Sequence, residues 1–313
     1  MSAPTGPRTL AVVKGHGTQN DFVLLDDRDG VLDLGPGLVR ALADRRAGVG
    51  ADGVIRLVPC RALPEGAAST AEDPAAEWFM DYRNADGSVA QMCGNGVRVV
   101  ARYAEHLGLW DGADELVLGT RAGVRRVRRD GGAYAVDMGE WRFVDPARAE
   151  SAAVDAEVQV AGLPVARPAL SLDLGNPHTV VAVADLDELA RIDLTRAPEV
   201  TPPPPEGSNV EVVVPLGEEV TPEGETVGRL RMRVHERGVG ETRSCGTGAC
   251  AAALAVRHWG GPGSPDTWLV DVPGGTVRVR TLPGGRVELA GPAVLVAEGL
   301  VDLDALEAGR AGS

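Results

Sequence analysis

A sixteen-residue block occurs twice in this chain, at Cys93–Gly108 and at Cys245–Gly260. The copies read CGNGVRVVARYAEHLG and CGTGACAAALAVRHWG, and they share an opening Cys-Gly-x-Gly, a histidine two places before the end and a closing glycine. The two cysteines lie 152 positions apart in a chain of 313 residues. One repeat at about half the chain length predicts two related domains, because a solenoid needs three or more short units.

The residues that follow each cysteine predict a helix. In the first copy Val97, Val100 and Ala104 recur with helical spacing, which indicates one apolar face. In the second copy the stretch from Ala249 to Val256 is apolar on all sides, which is typical of a helix buried within a sheet or barrel. Each cysteine is therefore expected at the N-terminus of a core helix.

A helix N-terminus favours negative charge, because its first N–H groups have no partner within the helix. A cysteine at this position is expected to have a thiol pKa below its ordinary value of roughly 8.5. The same N–H groups could bind a substrate carboxylate. For one isolated copy, a small residue that merely fits a tight turn would be the simpler interpretation; two equivalent copies favour chemistry.

Two such thiols suit the inversion of a carbon stereocentre, which needs a base on one face and an acid on the other. N–H groups aimed at the carboxylate would stabilise the intermediate charge. Pyridoxal phosphate would need a lysine, and the chain has one, Lys14, with no phosphate loop beside it. Cys245 and Cys250 have no second cysteine pair with which to bind zinc. We therefore predict a reaction without a cofactor or metal.

Composition narrows the class of protein. A net charge of −14 and a pI near 4.8 argue against nucleic acid or an anionic membrane as partner. The opening MSAPTGPRTL lacks the apolar stretch of a signal peptide, so we expect a cytoplasmic protein with reduced cysteines. Cys60 and Cys250 are expected to be structural, as are His106 and His258 near the helix C-termini.

The order of segments predicts an α+β fold, because regular βαβ alternation is absent. Strand patterns cover four stretches, with loops or breaks expected at three others. The strand stretches are Leu10–Leu25, Leu116–Leu118, Val124–Val127 and Val210–Val214. The breaks are Leu63–Pro74, Asp137–Pro146 and the proline run Pro202–Pro205, and the tail after Asp304 is expected to be a frayed helix or disordered.

With these motifs in view, the chain resembles the diaminopimelate epimerase family from about Val12 to Leu303. The segments that lead into the two cysteines, NADGSVAQMCGNG and HERGVGETRSCGTGAC, are the most specific. GHGTQNDF, GNPH and GSNVEVV also match. The resemblance implies conversion of LL-diaminopimelate to the meso form, in lysine and cell-wall precursor synthesis.

The resemblance also implies an architecture. Two pseudo-symmetric domains would each wrap a mixed β-sheet or barrel around a central helix, with the active site in the cleft between them. The last strand would return to the first domain, so that residues 1–137 and 291–313 form one domain and residues 138–290 the other. A homodimer is typical of the family.

Residue roles follow from the same resemblance. Cys93 and Cys245 match the family's catalytic thiols, one deprotonated and one protonated in each direction. His178 and Glu236 match groups that modulate the thiol pKa values, and Glu236 also meets the substrate ammonium. The residues that match substrate-binding positions are Asn20, Asn84, Gly94, Asn95, Asn176, Asn209, Glu236, Arg237, Gly246 and Thr247. Read by themselves, Asn20, Asn84 and Asn176 are typical turn residues.

The chain departs from the family at Gly53, where many relatives carry glutamine, so a side-chain contact to substrate is expected to be missing or replaced. The alternatives are a proline or hydroxyproline racemase of the same fold, a dithiol redox protein and a binding module that has lost catalysis. By resemblance, Asn84, Asn176, Asn209 and Arg237 bind the distal amino-acid group of the substrate, which the small ring substrate of a racemase lacks. A redox protein would have no use for these asparagines or for the N–H groups that bind a carboxylate. Retention of both cysteines argues against the binding module.

Overall fold

The structure, a computed structural model, describes residues 8–308 as nineteen strands, seven α-helices and one 3₁₀ turn. The strands of the first half are β1 (Thr9–Gly17), β2 (Asn20–Asp26), β3 (Gly53–Pro59), β4 (Trp78–Asn84), β5 (Leu116–Thr120), β6 (Gly123–Asp130), β7 (Ala133–Glu140), β8 (Arg142–Phe143) and β9 (Ala156–Gln159). Those of the second half are β10 (Arg167–Asp173), β11 (Pro177–Ala182), β12 (Glu199–Thr201), β13 (Asn209–Val220), β14 (Thr226–Glu236), β15 (Gly240–Thr242), β16 (Thr267–Val272), β17 (Gly275–Leu282), β18 (Arg286–Gly291) and β19 (Val294–Asp302).

The helices are few and mostly short. They are α1 (Pro36–Ala43), α2 (Pro64–Glu72), α3 (Gly94–His106), α4 (Pro146–Ala152), α5 (Leu186–Arg191), α6 (Gly246–Gly260) and α7 (Leu303–Ala308), and the 3₁₀ turn covers Cys60–Ala62. Within residues 8–308, no helix combines the length and the apolar character that crossing a membrane requires.

The chain divides into two units. Of the described residues, the first contains residues 8–17, 21–134 and 293–308, and the second contains residues 18–20 and 135–292. The partition at residues 137 and 291, expected from the family resemblance, stays a prediction.

The first unit is a mixed sheet around α3. Strands β1 and β19 pair antiparallel, β2 and β3 parallel, β3 and β4 antiparallel, β4 and β5 parallel, and β5 and β6 antiparallel. Helix α3 contacts β1, β3, β4, β6 and β19. Its buried face includes Val97, Val100 and Ala104, which confirms the helical period expected from the sequence.

The second unit repeats this arrangement around α6. Its sheet is also mixed: β10 pairs antiparallel with β11, which pairs parallel with β13, and β13 continues antiparallel to β14. Strand β14 pairs parallel with β16, which leads antiparallel through β17 to β18. Helix α6 contacts β10, β11, β13, β14, β16, β17 and β18, and residues 246–256 are all buried. The predicted mixed fold with a central helix in each half is confirmed.

The first unit also buries a carboxylate among arginines. Asp81 is 0% exposed, and its oxygens lie 2.6 Å from Arg56 Nη2, 2.8 Å from Arg121 Nη2 and 2.9 Å from Arg83 Nε. Burial by itself would raise the pKa of Asp81, but the hydrogen bonds and charges of the three arginines outweigh it and lower that pKa. The cluster links β3, β4 and the turn after β5.

Three local predictions were wrong. The break expected at Asp137–Pro146 is largely strand, since β7 continues to Glu140 and β8 covers Arg142–Phe143. The stretch Leu63–Pro74 was expected to be a break, but Pro64–Glu72 forms α2, which begins with proline in its first turn and has Glu65 there as well. The strand pattern Leu10–Leu25 is two strands, because Thr18 and Gln19 adopt positive φ values of 48° and 65° and end β1. The proline run Pro202–Pro205 is a largely exposed loop, as predicted. The tail after Asp304 is helical to Ala308, and its remainder lies outside the described residues.

Candidate active site

The two cysteines occupy the same position in the two units. Cys93 is the N-cap of α3, with φ −138° and ψ 120°, and Cys245 is the N-cap of α6, with φ −120° and ψ 119°. Each sulfur accepts a hydrogen bond from the backbone N–H three residues later, at 3.5 Å from Gly96 and 3.4 Å from Gly248. The duplicated sequence therefore makes the same cap twice, with sulfur in the place of the usual capping oxygen.

The surroundings of Cys245 oppose ionisation. Burial raises the pKa of the Cys245 thiol well above its ordinary value, and the carboxylates of Glu236 and Glu211 raise it further. The Thr247 hydroxyl, 3.5 Å from the sulfur, and the Gly248 N–H lower the pKa by less. The prediction of a lowered thiol pKa was wrong for Cys245, because burial and two nearby carboxylates outweigh the helix terminus.

His178 lies at the centre of a polar cluster in the second unit. Its ring is 0% exposed, with Nδ1 2.7 Å from Glu211 Oε1 and Nε2 3.1 Å from Asn176 Oδ1. Asn176 Nδ2 in turn lies 3.4 Å from Thr247 Oγ1, which is the hydroxyl beside Cys245. Hydrogen bonds thus connect Glu211 to the sulfur through His178, Asn176 and Thr247.

Strand register explains this convergence. His178 on β11 pairs with Asn209 on the parallel strand β13, and Glu211 lies two residues further on the same face of β13. Both strands contact α6, and a Cβ atom built on Gly248 would lie 2.6 Å from Glu211 Oε1. The register of the two strands therefore places His178 and Glu211 on the same face of the sheet, with Glu211 next to the start of α6.

Other predicted binding residues of the second unit adjoin this cluster. The Asn209 amide donates to the Pro177 carbonyl at 3.0 Å and accepts from the Arg237 N–H at 3.0 Å, so it joins β11 to the turn after β14. The Arg237 side chain is exposed and donates to the Glu206 carbonyl. Glu236 is half-buried and accepts from the Thr242 hydroxyl.

The segment 18–20, which belongs to the second unit, reaches the residues that precede Cys245. Thr18 Oγ1 lies 2.7 Å from Ser244 Oγ, and Arg243 Nε donates to Gln19 Oε1 at 2.5 Å. Asn20, predicted to contact substrate, follows directly and is half-buried. Gly246 and Thr247 are buried in the first turn of α6.

The predicted residues of the first unit are Asn84, Cys93, Gly94 and Asn95. Gly94 and Asn95 are buried in the first turn of α3, and the Asn95 carbonyl oxygen of the side chain accepts from Arg98 at 3.0 Å. Asn84 donates to Ser88 Oγ at 3.0 Å within a tight turn, which fits its character as a turn residue. Cys93 is half-buried.

Gly53 has no room for a side chain. A Cβ atom there would lie 2.6 Å from Tyr82 Cε2 and 2.6 Å from the Arg83 carbonyl oxygen. Tyr82 fills this space and packs edge-on against Phe22, with the ring centroids 5.8 Å apart. A glutamine at this position, as the family resemblance leads one to expect, would displace this ring, so Gly53 has a packing reason.

Sequence reasoning missed Glu211. It lies inside the matched segment GSNVEVV, and its one sequence signal is a charged residue within a strand of valines. A fully buried, ionisable side chain in such a strand requires a partner. His178 is that partner, and it becomes visible only in the folded chain.

Solved structures of known proteins share this architecture. A PhzF-family phenazine biosynthesis protein of Bacillus anthracis matches with a TM-score of 0.63 at 17% identity, over 94% of this chain and 99% of that one. A hydroxyproline epimerase from Agrobacterium vitis matches with a TM-score of 0.59 at 16% identity, over 95% of this chain and 93% of that one. The chain thus has the fold of the class of proteins that includes PhzF and hydroxyproline epimerase.

Sequence comparison is more specific than the fold. The family model described as diaminopimelate epimerase matches residues 12–144 and 170–296. The diaminopimelate epimerase of Streptomyces coelicolor is 48% identical over 306 residues, which cover 95% of this chain and 97% of that protein. The chain belongs to the diaminopimelate epimerase family.

Gly248 offers a test of the site's packing. Gly248→Ala would place a methyl group against the fixed Glu211 carboxylate and 3.2 Å from Cys245 Sγ, so we expect a loss of about 1–3 kcal/mol in the free energy of unfolding. The matched control is Gly96→Ala in the first unit, where the obstructing atom is the flexible end of Met80, at 2.7 Å. Thermal denaturation should show the larger loss for Gly248→Ala; equal losses would contradict the tight fit of Glu211 against α6.

Proposed function

We propose that this protein interconverts LL- and meso-diaminopimelate by transferring protons at the α-carbon with two thiols, Cys93 and Cys245. The observation that carries this proposal is the repeated cap: each half ends a tight turn with a cysteine whose sulfur faces the first N–H groups of a buried helix. Membership of the diaminopimelate epimerase family supports the choice of substrate.

The proposed division of roles begins with Cys245. Because burial and the two carboxylates raise its pKa, Cys245 rests as a thiol and delivers a proton to the α-carbon. Cys93 is then the base that removes the proton from the opposite face. In the reverse direction the two sulfurs exchange these roles, which requires that Cys245 can also exist as a thiolate.

Between the two proton transfers the α-carbon carries negative charge, which spreads onto the neighbouring carboxylate and must be stabilised there. The first-turn N–H groups at Gly94 and Asn95 and at Gly246 and Thr247 are assigned to this carboxylate, since helix N-termini favour anions. At the distal amino-acid group, Arg237 is assigned to the carboxylate, because a planar guanidinium pairs with a carboxylate through two parallel hydrogen bonds. Asn84, Asn176 and Asn209 complete this binding set, Asn20 contacts the substrate, and Glu236 meets its ammonium group.

The assignment places the protein in lysine and peptidoglycan precursor synthesis, where it would act in the cytoplasm as a homodimer. It requires no pyridoxal phosphate or metal. Its substrate is a small amino acid with a second amino-acid group, which distinguishes it from the ring substrates of proline-type racemases.

The test is incubation of reduced protein with LL-diaminopimelate in heavy water. We expect meso product that carries deuterium at the inverted α-carbon, because the delivered proton comes from a thiol that has exchanged with solvent. Absence of both product and exchange, with the thiols verified as free, would overturn the proposal. Proline and hydroxyproline, run in parallel, show whether a ring substrate is used instead.

A further inference from the structure

Glu211 is an unusual side chain for a protein interior. It is 0% exposed, and its Oε2 atom is buried with no hydrogen-bond partner among residues 8–308. Burying a carboxylate with half of its acceptors unused costs stability. Such a cost indicates a functional reason for the residue, because a glutamine or an apolar side chain would fill the same space more cheaply.

The one hydrogen bond that Glu211 accepts goes to the ring of His178. A carboxylate oxygen 2.7 Å from Nδ1 requires that Nδ1 carry a proton. Nε2 is therefore the ring atom that can gain or lose a proton, and it faces the Asn176 amide. The orientation of that amide decides which way hydrogen bonds run towards Cys245.

An asparagine amide can take either of two orientations. As the structure has it, Oδ1 faces His178 Nε2 and Nδ2 donates to Thr247 Oγ1. Nε2 must then be protonated as well, so that His178 is an imidazolium. The Thr247 hydroxyl, having accepted from Asn176, donates to the Cys245 sulfur, which suits a thiolate.

Rotation of the amide by half a turn reverses the chain of hydrogen bonds. Asn176 Nδ2 then donates to an unprotonated Nε2, Oδ1 accepts from the Thr247 hydroxyl, and that hydroxyl accepts from the S–H of Cys245. The two arrangements contain the same number of protons and differ in whether one proton lies on Cys245 Sγ or on His178 Nε2. If Cys245 were a thiolate while the His178 ring stayed neutral, two hydrogen-bond acceptors would face each other somewhere between Nε2 and Sγ. The hydrogen bonds therefore favour a thiolate together with an imidazolium.

We propose that Glu211 is a positioning residue for the reaction: it holds the Nδ1 proton of His178 in both arrangements and so couples protonation of His178 to the thiolate state of Cys245. The inference rests on the proposed function and extends it by naming how Cys245, buried near two carboxylates, can serve as a base. Without the Glu211 carboxylate, the imidazolium would lose its counter-charge.

The opposite effect is expected if Glu211 acts through space alone. Two carboxylates raise the pKa of the Cys245 thiol, Glu236 on β14 and Glu211 on β13. His178 on β11 is in hydrogen-bond contact with Glu211. Removal of the Glu211 charge would by itself make the Cys245 thiolate easier to form. Under the proposal the same change makes it harder to form, because the imidazolium is lost. The two accounts therefore predict shifts of opposite sign.

The experiment measures alkylation of Cys245 by iodoacetamide as a function of pH, followed on the Cys245 peptide by mass spectrometry. For Glu211→Gln we expect the midpoint to move to higher pH and the rate at neutral pH to fall about tenfold or more, which corresponds to one pH unit. Glutamine retains an acceptor for Nδ1–H, so the ring keeps its place. A midpoint that moves to lower pH, or does not move, overturns the proposal.

Thr247→Val removes the hydroxyl that links Asn176 to Cys245 and changes the side-chain shape little. It should therefore shift the midpoint of Cys245 alkylation in the same direction as Glu211→Gln. If both residues act through one chain, the double variant should shift it no further than the larger single variant. Additive shifts would contradict a shared route. The matched control is Glu288→Gln, a buried glutamate of the same unit that pairs with Arg278 and Arg280, which should leave the midpoint unchanged.

Stability and activity separate the remaining outcomes. Glu211→Gln should unfold at the same temperature as the natural protein or a higher one, because burying a carboxylate with an unused acceptor is costly. A marked loss of stability would indicate a structural role and overturn the proposal.

The alkylation experiment requires no substrate, so it tests the coupling independently of the proposed function. If the natural protein fails to act on diaminopimelate while the shifts appear as expected, the proposed function falls and the coupling stands.

Discussion

Cys93→Ala and Cys245→Ala should each reduce epimerisation of diaminopimelate by about 10²- to 10⁴-fold, because each removes one of the two groups that move the proton. The measurement is the rate of meso product formed from LL-diaminopimelate, with circular dichroism to verify the fold. Neither side chain fills a large part of its core, since Cys93 is half-buried and the small Cys245 side chain is the N-cap that precedes α6. The loss should therefore come from chemistry and leave the fold intact.

The chain supplies its own controls for this experiment. Cys60 and Cys250 are buried at 2% and 0% exposure, and Cys250 lies on the same helix as Cys245. Cys60→Ala and Cys250→Ala should retain activity, with at most a modest loss of stability. Near-normal inversion by Cys93→Ala or Cys245→Ala would refute the two-thiol mechanism. A severe loss of activity in the controls would show that removing any buried cysteine impairs the enzyme, so that the losses at Cys93 and Cys245 would not identify catalytic groups.

The second large effect concerns stability. Asp81→Asn should lower the free energy of unfolding by about 3–5 kcal/mol, because it leaves Arg56, Arg83 and Arg121 without the buried charge that they share. The melting temperature should fall by on the order of 10 °C. The control is Asp73→Asn, whose partner Arg126 is exposed, and which should cost under about 1 kcal/mol.

The effect of Asp81 depends on pH with a definite sign. Its folded-state pKa is lowered from the ordinary value of 3.8, so its stabilisation is fully present above about pH 4 and is lost as the pH falls through the folded-state value. The difference between the natural protein and Asp81→Asn, measured by chemical denaturation, should therefore shrink in strong acid. A difference that is independent of pH, or a cost similar to that of Asp73→Asn, would contradict the role of the buried charge.

The positions of α3 and α6 could be predicted from the sequence, because they depend on short-range residue patterns. The glycines and cysteine of each copy mark where α3 and α6 begin, and the apolar residues that follow show that both helices are buried. Helix α2 was missed because Pro64–Glu72 has no apolar stripe; it is held by alanine content and by packing under the Cys60 turn.

Features that depend on tertiary contacts could not be read from the sequence. The thiol pKa of Cys245 was misjudged because Glu211 and Glu236 lie 34 and 9 positions away along the chain. His178 was recognised by resemblance, but its partnership with Glu211 depends on the register between β11 and β13. The roles of five side chains as substrate ligands stay predictions: Asn20, Asn84, Asn176, Asn209 and Arg237.

The parallel pairing of β11 with β13 has a consequence for how relatives of this protein can change in length. Insertion of one residue in either strand would turn every later side chain to the other face of the sheet, moving Glu211 away from His178. The exposed proline loop before β13 carries no such constraint. Evolutionary length variation should therefore accumulate in residues 202–207, while the chain from Pro177 to Ala182 and from Asn209 to Val213 keeps a fixed count.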